Sequence, residues 1–91
     1  MSELEFSSRA LRDLRKIDAG QRKRIKRALH ELTGEQPPQN LDTTALVGAV
    51  PWQRLRVGTY RVIYRQMDDG NYLAVRVVHR RDLERAVDSL P

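Results

Sequence analysis

Arginines recur among apolar residues in the second half of this 91-residue chain, at Arg54, Arg56, Arg61, Arg65 and Arg76. A guanidinium presents a planar fork of N–H donors that matches the oxygens of a phosphate. No acidic residue occurs between Pro51 and Asp68, so these charges have no partner in their own segment. The pattern predicts a surface that binds an anion, with nucleic acid as the first candidate. The alternative is a solvated face whose arginines pair with acids from loops or from the tail.

Such a surface has groups that can promote RNA cleavage without a metal. The 2′-hydroxyl of RNA can attack the adjacent phosphate when it is held in line with the leaving oxygen. Arginines can orient that hydroxyl and stabilise the charge that develops on phosphorus. Proton transfer needs a further group, for which His79 is the candidate. His79 shares strand parity with Val75 and Val77, so its alternative role is structural, at the edge of the core.

Alternating residues predict the three β-strands that carry the arginines. Gly58-Thr59 has the composition of a two-residue hairpin turn, and residues 68–71 (DDGN) form a second turn signal. One parity is apolar and predicts the face that packs against the helices: Leu55, Val57, Tyr60, Val62, Tyr64, Leu73, Val75 and Val77. The opposite face carries the arginines, with only Ile63, Ala74 and Val78 between them.

Two helices and one short strand are predicted before this sheet. Residues 1–6 alternate as in an edge strand, and helical spacing of apolar residues follows Ser7-Ser8 and again Asp18. Residues 35–50, with Pro37-Pro38, predict a loop, and a last short helix begins at Asp82. The order β-α-α-β-β-β-α predicts one α+β domain over residues 1–91. Its small antiparallel sheet carries a helical hairpin on one face.

Composition limits the classes of function. The net charge is +5 and the isoelectric point about 10.2, which favours an anionic partner. There is no cysteine and there are only two histidines, so a disulfide framework and a zinc site are not expected. No apolar run approaches the length of a membrane span and no signal peptide is recognisable, so the expected location is the cytoplasm.

Three segments carry a resemblance to a known family: Leu46-Val47-Gly48, residues 54–64 (RLRVGTYRVIY) and residues 75–82 (VRVVHRRD). They resemble the RelE/ParE superfamily of bacterial toxins, on its RelE side, and the basic helix with residues 22–26 is similar to the family's second helix. The resemblance covers nearly the whole chain and implies a RelE-like fold. It also implies a type II toxin that cleaves mRNA on the ribosome without metal or other cofactor, and so inhibits translation.

The resemblance implies partners and residue roles as well. The partners are a cognate antitoxin, the ribosome and mRNA, with operator DNA bound only through the antitoxin and no membrane. Arg54 matches a basic residue that helps to activate or orient the 2′-hydroxyl, Arg61 one that stabilises the cleaved phosphate, and Arg81 one that contacts phosphate. The residues expected to bind RNA around them are Arg56, Arg65, Arg76, Arg80, Lys23 and Lys26.

Two positions depart from the family pattern. Trp52 stands where a second basic residue is common, and Glu84 where many members have a tyrosine; Glu84 is therefore a further candidate for proton transfer, beside His79. Two alternatives to the nuclease stay open, because the fold does not separate the activities of the superfamily. One is a ParE-like inhibitor of DNA gyrase. The other is a catalytically weak toxin-like module that acts mainly in a repressor complex with its antitoxin.

Overall fold

The computed structural model describes residues 2–34 and 40–90. Within them a five-stranded sheet has the strand order β1-β5-β4-β3-β2. The elements in chain order are β1 (Leu4–Phe6), α1 (Ser8–Arg15), α2 (Ala19–Leu32), β2 (Asp42–Ala45), β3 (Gln53–Val57), β4 (Tyr60–Gln66), β5 (Tyr72–His79), a 3₁₀ turn (Arg80–Asp82) and α3 (Leu83–Asp88). The predicted α+β class is confirmed, and no helix in this part of the chain combines the length and apolar character needed to cross a membrane.

Side-chain caps begin the first two helices at the predicted residues. Ser7 Oγ accepts the Ala10 N–H at 3.1 Å, and Asp18 Oδ1 accepts the Gln21 N–H at 3.1 Å. Each cap satisfies one backbone donor that the first turn of a helix leaves without a partner. Gln21 does not complete a reciprocal capping box, since its Oε1 atom is buried without a hydrogen-bond partner.

The sheet has one strand more than predicted, and one of its pairs is parallel. β2 through β5 form the antiparallel part, whereas β1 pairs with residues Tyr72–Ala74 of β5 in parallel. The extra strand, Asp42–Ala45, lies in the segment predicted as a loop. Its four residues are all exposed. The segment therefore lacks the alternation of apolar and polar residues by which a half-buried strand is predicted from sequence. The predicted break at Pro37-Pro38 lies outside the described residues.

The helical hairpin covers one face of the sheet, as predicted. Leu14, Ile25 and Leu29 from the helices pack there against Leu55 and Val62 from the central strands. Ile25, Leu29, Leu55 and Val62 are fully buried. Burial of such side chains stabilises each by about 1.5–3 kcal/mol relative to exposure, so this layer fixes how β3 and β4 lie against the helices.

The opposite face is not the open arginine surface that strand parity predicts. Trp52, Ile63, Val78 and Ala86 form a second buried cluster there, under α3 and the segment before β3. α3 and the segment around Trp52 cover this face of the sheet. A bulge in β5 also changes which residues face it: Ile63 pairs with Arg76 whereas Tyr64 pairs with Ala74, so Val75 is the extra residue. A bulge reverses parity, and Ala74 joins the helix-side core while Val75 packs on the second cluster.

Candidate functional site

Four arginines meet on the α3 side of the sheet, near the β3–β4 hairpin. Arg56 lies directly opposite Arg61 in the pairing of β3 with β4, and Arg54 lies opposite Ile63. Burial lowers the pKa of the Arg61 guanidinium, and the positive charges of Arg56, Arg54 and Arg80 lower it further. We call Arg54, Arg56, Arg61 and Arg80 the arginine cluster. Its mutual repulsion is relieved when an anion binds.

The hairpin turn fixes the orientation of Arg61. Its Nη1 donates to the carbonyl of Gly58 at 3.0 Å and to that of Tyr60 at 2.9 Å. Gly58 has a φ of +59°, which a glycine adopts without steric cost. Arg24, from α2, reaches the same turn, and its Nη1 would lie 3.3 Å from a Cβ placed on Gly58. The turn therefore fixes Arg61 through its carbonyls, and Arg24 lies against the turn at Gly58.

The edge strand β2 supplies the polar partners of the cluster. Arg54 Nη2 donates to Thr44 Oγ1 at 2.8 Å and lies 3.5 Å from Asp42 Oδ1. The second oxygen of Asp42 lies 3.9 Å from Arg56 Nη1. Both contacts of Arg54 are made by its Nη2 atom with residues of β2, and its side chain is only 19% exposed.

Two predicted RNA-binding arginines point to other partners. Arg76 forms an ion pair with Asp13 of α1, with Nε 2.9 Å from Oδ2, and both side chains are largely buried. Arg65 lies over the ring of Trp52, 5.8 Å from its centroid, in a cation–π contact. Trp52 therefore packs in the second cluster and contacts Arg65 through its ring. These two contacts are the structural role of the tryptophan at a position where the resemblance implies a basic residue.

His79 and Arg81 line a groove that does not include Arg61. The groove has a volume of about 590 Å³, lies between α1, β5 and α3, and is also lined by Arg9, Lys16 and Arg85. His79 Nδ1 accepts the Arg81 N–H at 3.2 Å, and its ring packs edge-on against Tyr60 at 5.8 Å. One imidazole nitrogen thus serves as the cap of the turn, in agreement with the structural alternative for His79.

The remaining predicted residues are dispersed. Glu84 lines a separate cleft of about 310 Å³ on α3, beside Leu46 and Val87. Lys23 and Lys26 are exposed on α2, and Lys26 lines a shallow cleft near β1. The structure brings together Arg54, Arg56, Arg61 and Arg80, and places the other predicted site residues elsewhere.

Sequence reasoning missed two residues that contact the cluster, Asp42 and Thr44, and one that lies against the turn at Gly58, Arg24. Asp42 and Thr44 lie in the segment predicted as a loop, and Arg24 was one of several basic residues on a helix. The missing acid between Pro51 and Asp68 was the available signal, because it required a partner from elsewhere in the chain. Among the described residues no group of three His, Cys, Asp or Glu side chains could hold a metal ion.

Comparisons with known proteins converge on a group of small toxins. A family model described as "ParE toxin of type II toxin-antitoxin system, parDE" matches residues 4–84. The "Putative toxin RelE1" of Methanocaldococcus jannaschii is 29% identical over 80 residues, which span 87% of this chain and 89% of the relative.

Solved structures show the same fold. A chain of the RelB–RelE antitoxin–toxin complex from Methanococcus jannaschii superposes with a TM-score of 0.74 at 25% identity, over 90% of this chain and 96% of that chain. The isolated RelE toxin of E. coli gives a TM-score of 0.69 at 20% identity, over 94% and 99%. The second likeness, at its lower identity, is one of fold alone.

Proposed function

Because the chain belongs to the RelE/ParE superfamily of toxins of type II toxin–antitoxin systems, we propose that it is a metal-independent endoribonuclease that cleaves mRNA on the ribosome and stops translation in the cytoplasm. The observation that carries this proposal is the arginine cluster at the β3–β4 hairpin. Three of its members lie on adjacent strands in fixed register. The pKa of Arg61 is lowered first by burial and then by the positive charges of the neighbouring arginines. A phosphate is the group that relieves the repulsion between these charges.

The reaction that fits this cluster is attack by the 2′-hydroxyl oxygen on the adjacent phosphorus. The 2′-hydroxyl gives its proton to water, the bond from phosphorus to the 5′-oxygen breaks, and the 5′-oxygen takes a proton from water, which leaves a cyclic phosphate and a free 5′-hydroxyl. We assign Arg54 to the 2′-hydroxyl, because Thr44 holds its Nη2 in place. We assign Arg61 to the phosphorane, because the turn carbonyls fix its fork. Donors fixed before the reaction stabilise developing charge without reorganisation.

The other predicted residues take outer roles in this proposal. Arg56 and Arg80 bind neighbouring phosphates from within the cluster, and Arg81 contacts phosphate from the groove that it lines with His79. Arg65, Lys23 and Lys26 contribute to the positive field that draws RNA to the surface. His79 and Glu84 lie apart from the cluster, so we assign neither of them to proton transfer.

The proposed partner that controls the toxin is a cognate antitoxin. Relatives of the same fold were solved as RelB–RelE complexes, from Methanococcus jannaschii and, at 26% identity, from E. coli. We propose that the antitoxin covers the arginine cluster and carries any contact with operator DNA. If an acidic segment of the antitoxin neutralises the arginine cluster, salt should weaken the binding of the antitoxin to the toxin, since exposed charge pairs are screened.

Expression in a bacterial host tests the nuclease. The wild-type chain should arrest growth, and primer extension should find cuts within translated codons of host mRNA. Arg61→Ala should restore growth and abolish the cuts while circular dichroism shows a folded protein. Arg27→Ala, which removes the same charge from an exposed position on α2, is the matched control and should remain toxic. Intact mRNA in arrested cells would refute the nuclease.

Inhibition of DNA gyrase is the second candidate function, because the matching family model is that of ParE toxins. It predicts loss of plasmid supercoiling and a DNA-damage response while translation continues.

The third candidate is a weakly active module that works in a repressor complex with its antitoxin, and it predicts no growth arrest at all. The tryptophan at position 52 and the glutamate at position 84 favour this candidate over a strong toxin. Supercoiling and translation measured in one culture separate the three.

A further inference from the structure

The edge strand β2 places one carboxylate between two arginines of the cluster. In the pairing of β2 with β3, Asp42 lies opposite Arg56 and Thr44 lies opposite Arg54. Directly opposed residues of an antiparallel pair project from the same face of the sheet. Each oxygen of Asp42 approaches a different arginine, at 3.5 Å from Arg54 Nη2 and 3.9 Å from Arg56 Nη1.

A carboxylate in this position resembles the group that the cluster is proposed to bind. Its two oxygens share one negative charge, as the two non-bridging oxygens of a phosphodiester do. Guanidinium forks accept either anion through the same N–H donors. Without a substrate, Asp42 therefore supplies the negative charge that the cluster requires, and it does so from within the chain.

We propose that Asp42 is an internal competitor of the substrate phosphate, and that Thr44 is a positioning residue for Arg54. This inference rests on the proposed function of the arginine cluster. An incoming phosphate takes the place of Asp42 at Arg56, while Arg54 keeps its bond to Thr44.

The exposures of the side chains support this division of roles. Asp42 is 47% exposed and Arg56 54%, and exposed pairs at such distances are weak and readily exchanged. Arg54 is only 19% exposed and has a 2.8 Å hydrogen bond to Thr44 Oγ1 that does not depend on Asp42. The contact to Arg56 can therefore open for a substrate without releasing Arg54.

Asp42→Asn tests the competitor. Inorganic phosphate is titrated into the full chain while the Nε–H resonances of Arg54 and Arg56 are followed by NMR. Removal of one negative charge about 4 Å from the anion should tighten phosphate binding about three- to fivefold. Asp68→Asn is the matched control, because it changes the net charge equally from an exposed turn. If Asp42→Asn binds phosphate no more tightly than Asp68→Asn, the competitor is refuted.

Thr44→Val tests the positioning residue. The substitution keeps the branched shape and removes only the hydroxyl, so phosphate affinity should stay unchanged while the rate of mRNA cleavage on ribosomes falls at least about tenfold at unchanged KM. Thr44→Ser should recover most of the rate, since it restores the acceptor. Wild-type cleavage by Thr44→Val would overturn this role.

The two assays separate this inference from the proposed function. The phosphate titration needs neither a ribosome nor cleavage. Tighter phosphate binding by Asp42→Asn in a protein that cuts no mRNA upholds the competitor and refutes the nuclease. Cleavage of mRNA by the wild type, with equal phosphate affinity in Asp42→Asn and Asp68→Asn, upholds the nuclease and refutes the competitor.

Discussion

Asp13→Asn should destabilise the protein more than any surface change, because Asp13 is the acidic partner of the largely buried Arg76. Its Oδ2 lies 2.9 Å from Arg76 Nε and accepts the Val77 N–H at 2.9 Å. The substitution preserves the size of the side chain and leaves one oxygen that can still accept the Val77 N–H. It removes the negative charge, so that Arg76 remains positive at a site where water has little access.

The exposures of the two side chains determine the size of the effect. Removal of one member of a fully buried ion pair costs about 3–5 kcal/mol. The Arg76 and Asp13 side chains keep 16% and 13% of their exposure, so water compensates part of the loss. We expect the free energy of unfolding to fall by about 2–3 kcal/mol. For a domain of this size the Tm falls by about 4–8 °C for each kcal/mol.

Urea unfolding followed by circular dichroism measures this change, and a double-mutant cycle with Arg76→Met assigns it to the pair. The double variant buries no unpaired charge, so it should be more stable than the two single losses predict, by at least about 1 kcal/mol. A loss below about 1 kcal/mol for Asp13→Asn, or additive effects in the cycle, would show that Asp13 does not compensate a buried charge on Arg76. Arg76→Met should also leave the salt dependence of RNA binding unchanged, as expected of a residue that contacts no phosphate.

Two further predictions concern the hairpin and the helix-side core. Gly58→Ala should lower the free energy of unfolding by about 1–2 kcal/mol, since φ at this position is +59°, and the new methyl group should also displace the Arg24 side chain. Gly70→Ala is the control for backbone strain alone, because Gly70 has a φ of +88° and has open space around its Cβ position. Urea unfolding measures both variants. Burial raises the pKa of the Tyr64 hydroxyl above its ordinary value. The contribution of neutral Tyr64 to the free energy of unfolding is therefore present below about pH 10 and is lost as the pH rises through the raised pKa. Unfolding free energies measured from pH 8 to 11 should fall less in Tyr64→Phe than in the wild type.

Local sequence signals predicted much of the fold. Ser7 and Asp18 begin their helices as their side-chain chemistry predicts, and Gly58 makes the hairpin turn. The register of that hairpin then places Arg56 beside Arg61. These features depend on neighbours in the chain, which is why a single sequence was sufficient to identify them.

The misses have one physical cause, which is that they depend on contacts between distant segments. The bulge at Val75 lies in the pairing of β5 with β4, and it transfers Val75 to the second cluster. The position of Asp42 beside the arginine cluster depends on the pairing of β2 with β3. Strand parity predicts that Arg76 and Arg65 are surface residues. In the structure, Asp13 and Trp52 from other segments of the chain contact them.

The capping of β5 by α1 has a consequence for self-association. β1 pairs with β5 only as far as Ala74, and beyond it Ser7 Oγ donates to the Val75 carbonyl at 3.0 Å while Asp13 accepts from Val77. Side chains thus occupy backbone groups that would otherwise template another strand. A variant that loses both contacts should form intermolecular sheet at high concentration. The first helix therefore protects this edge from aggregation, in addition to covering the core.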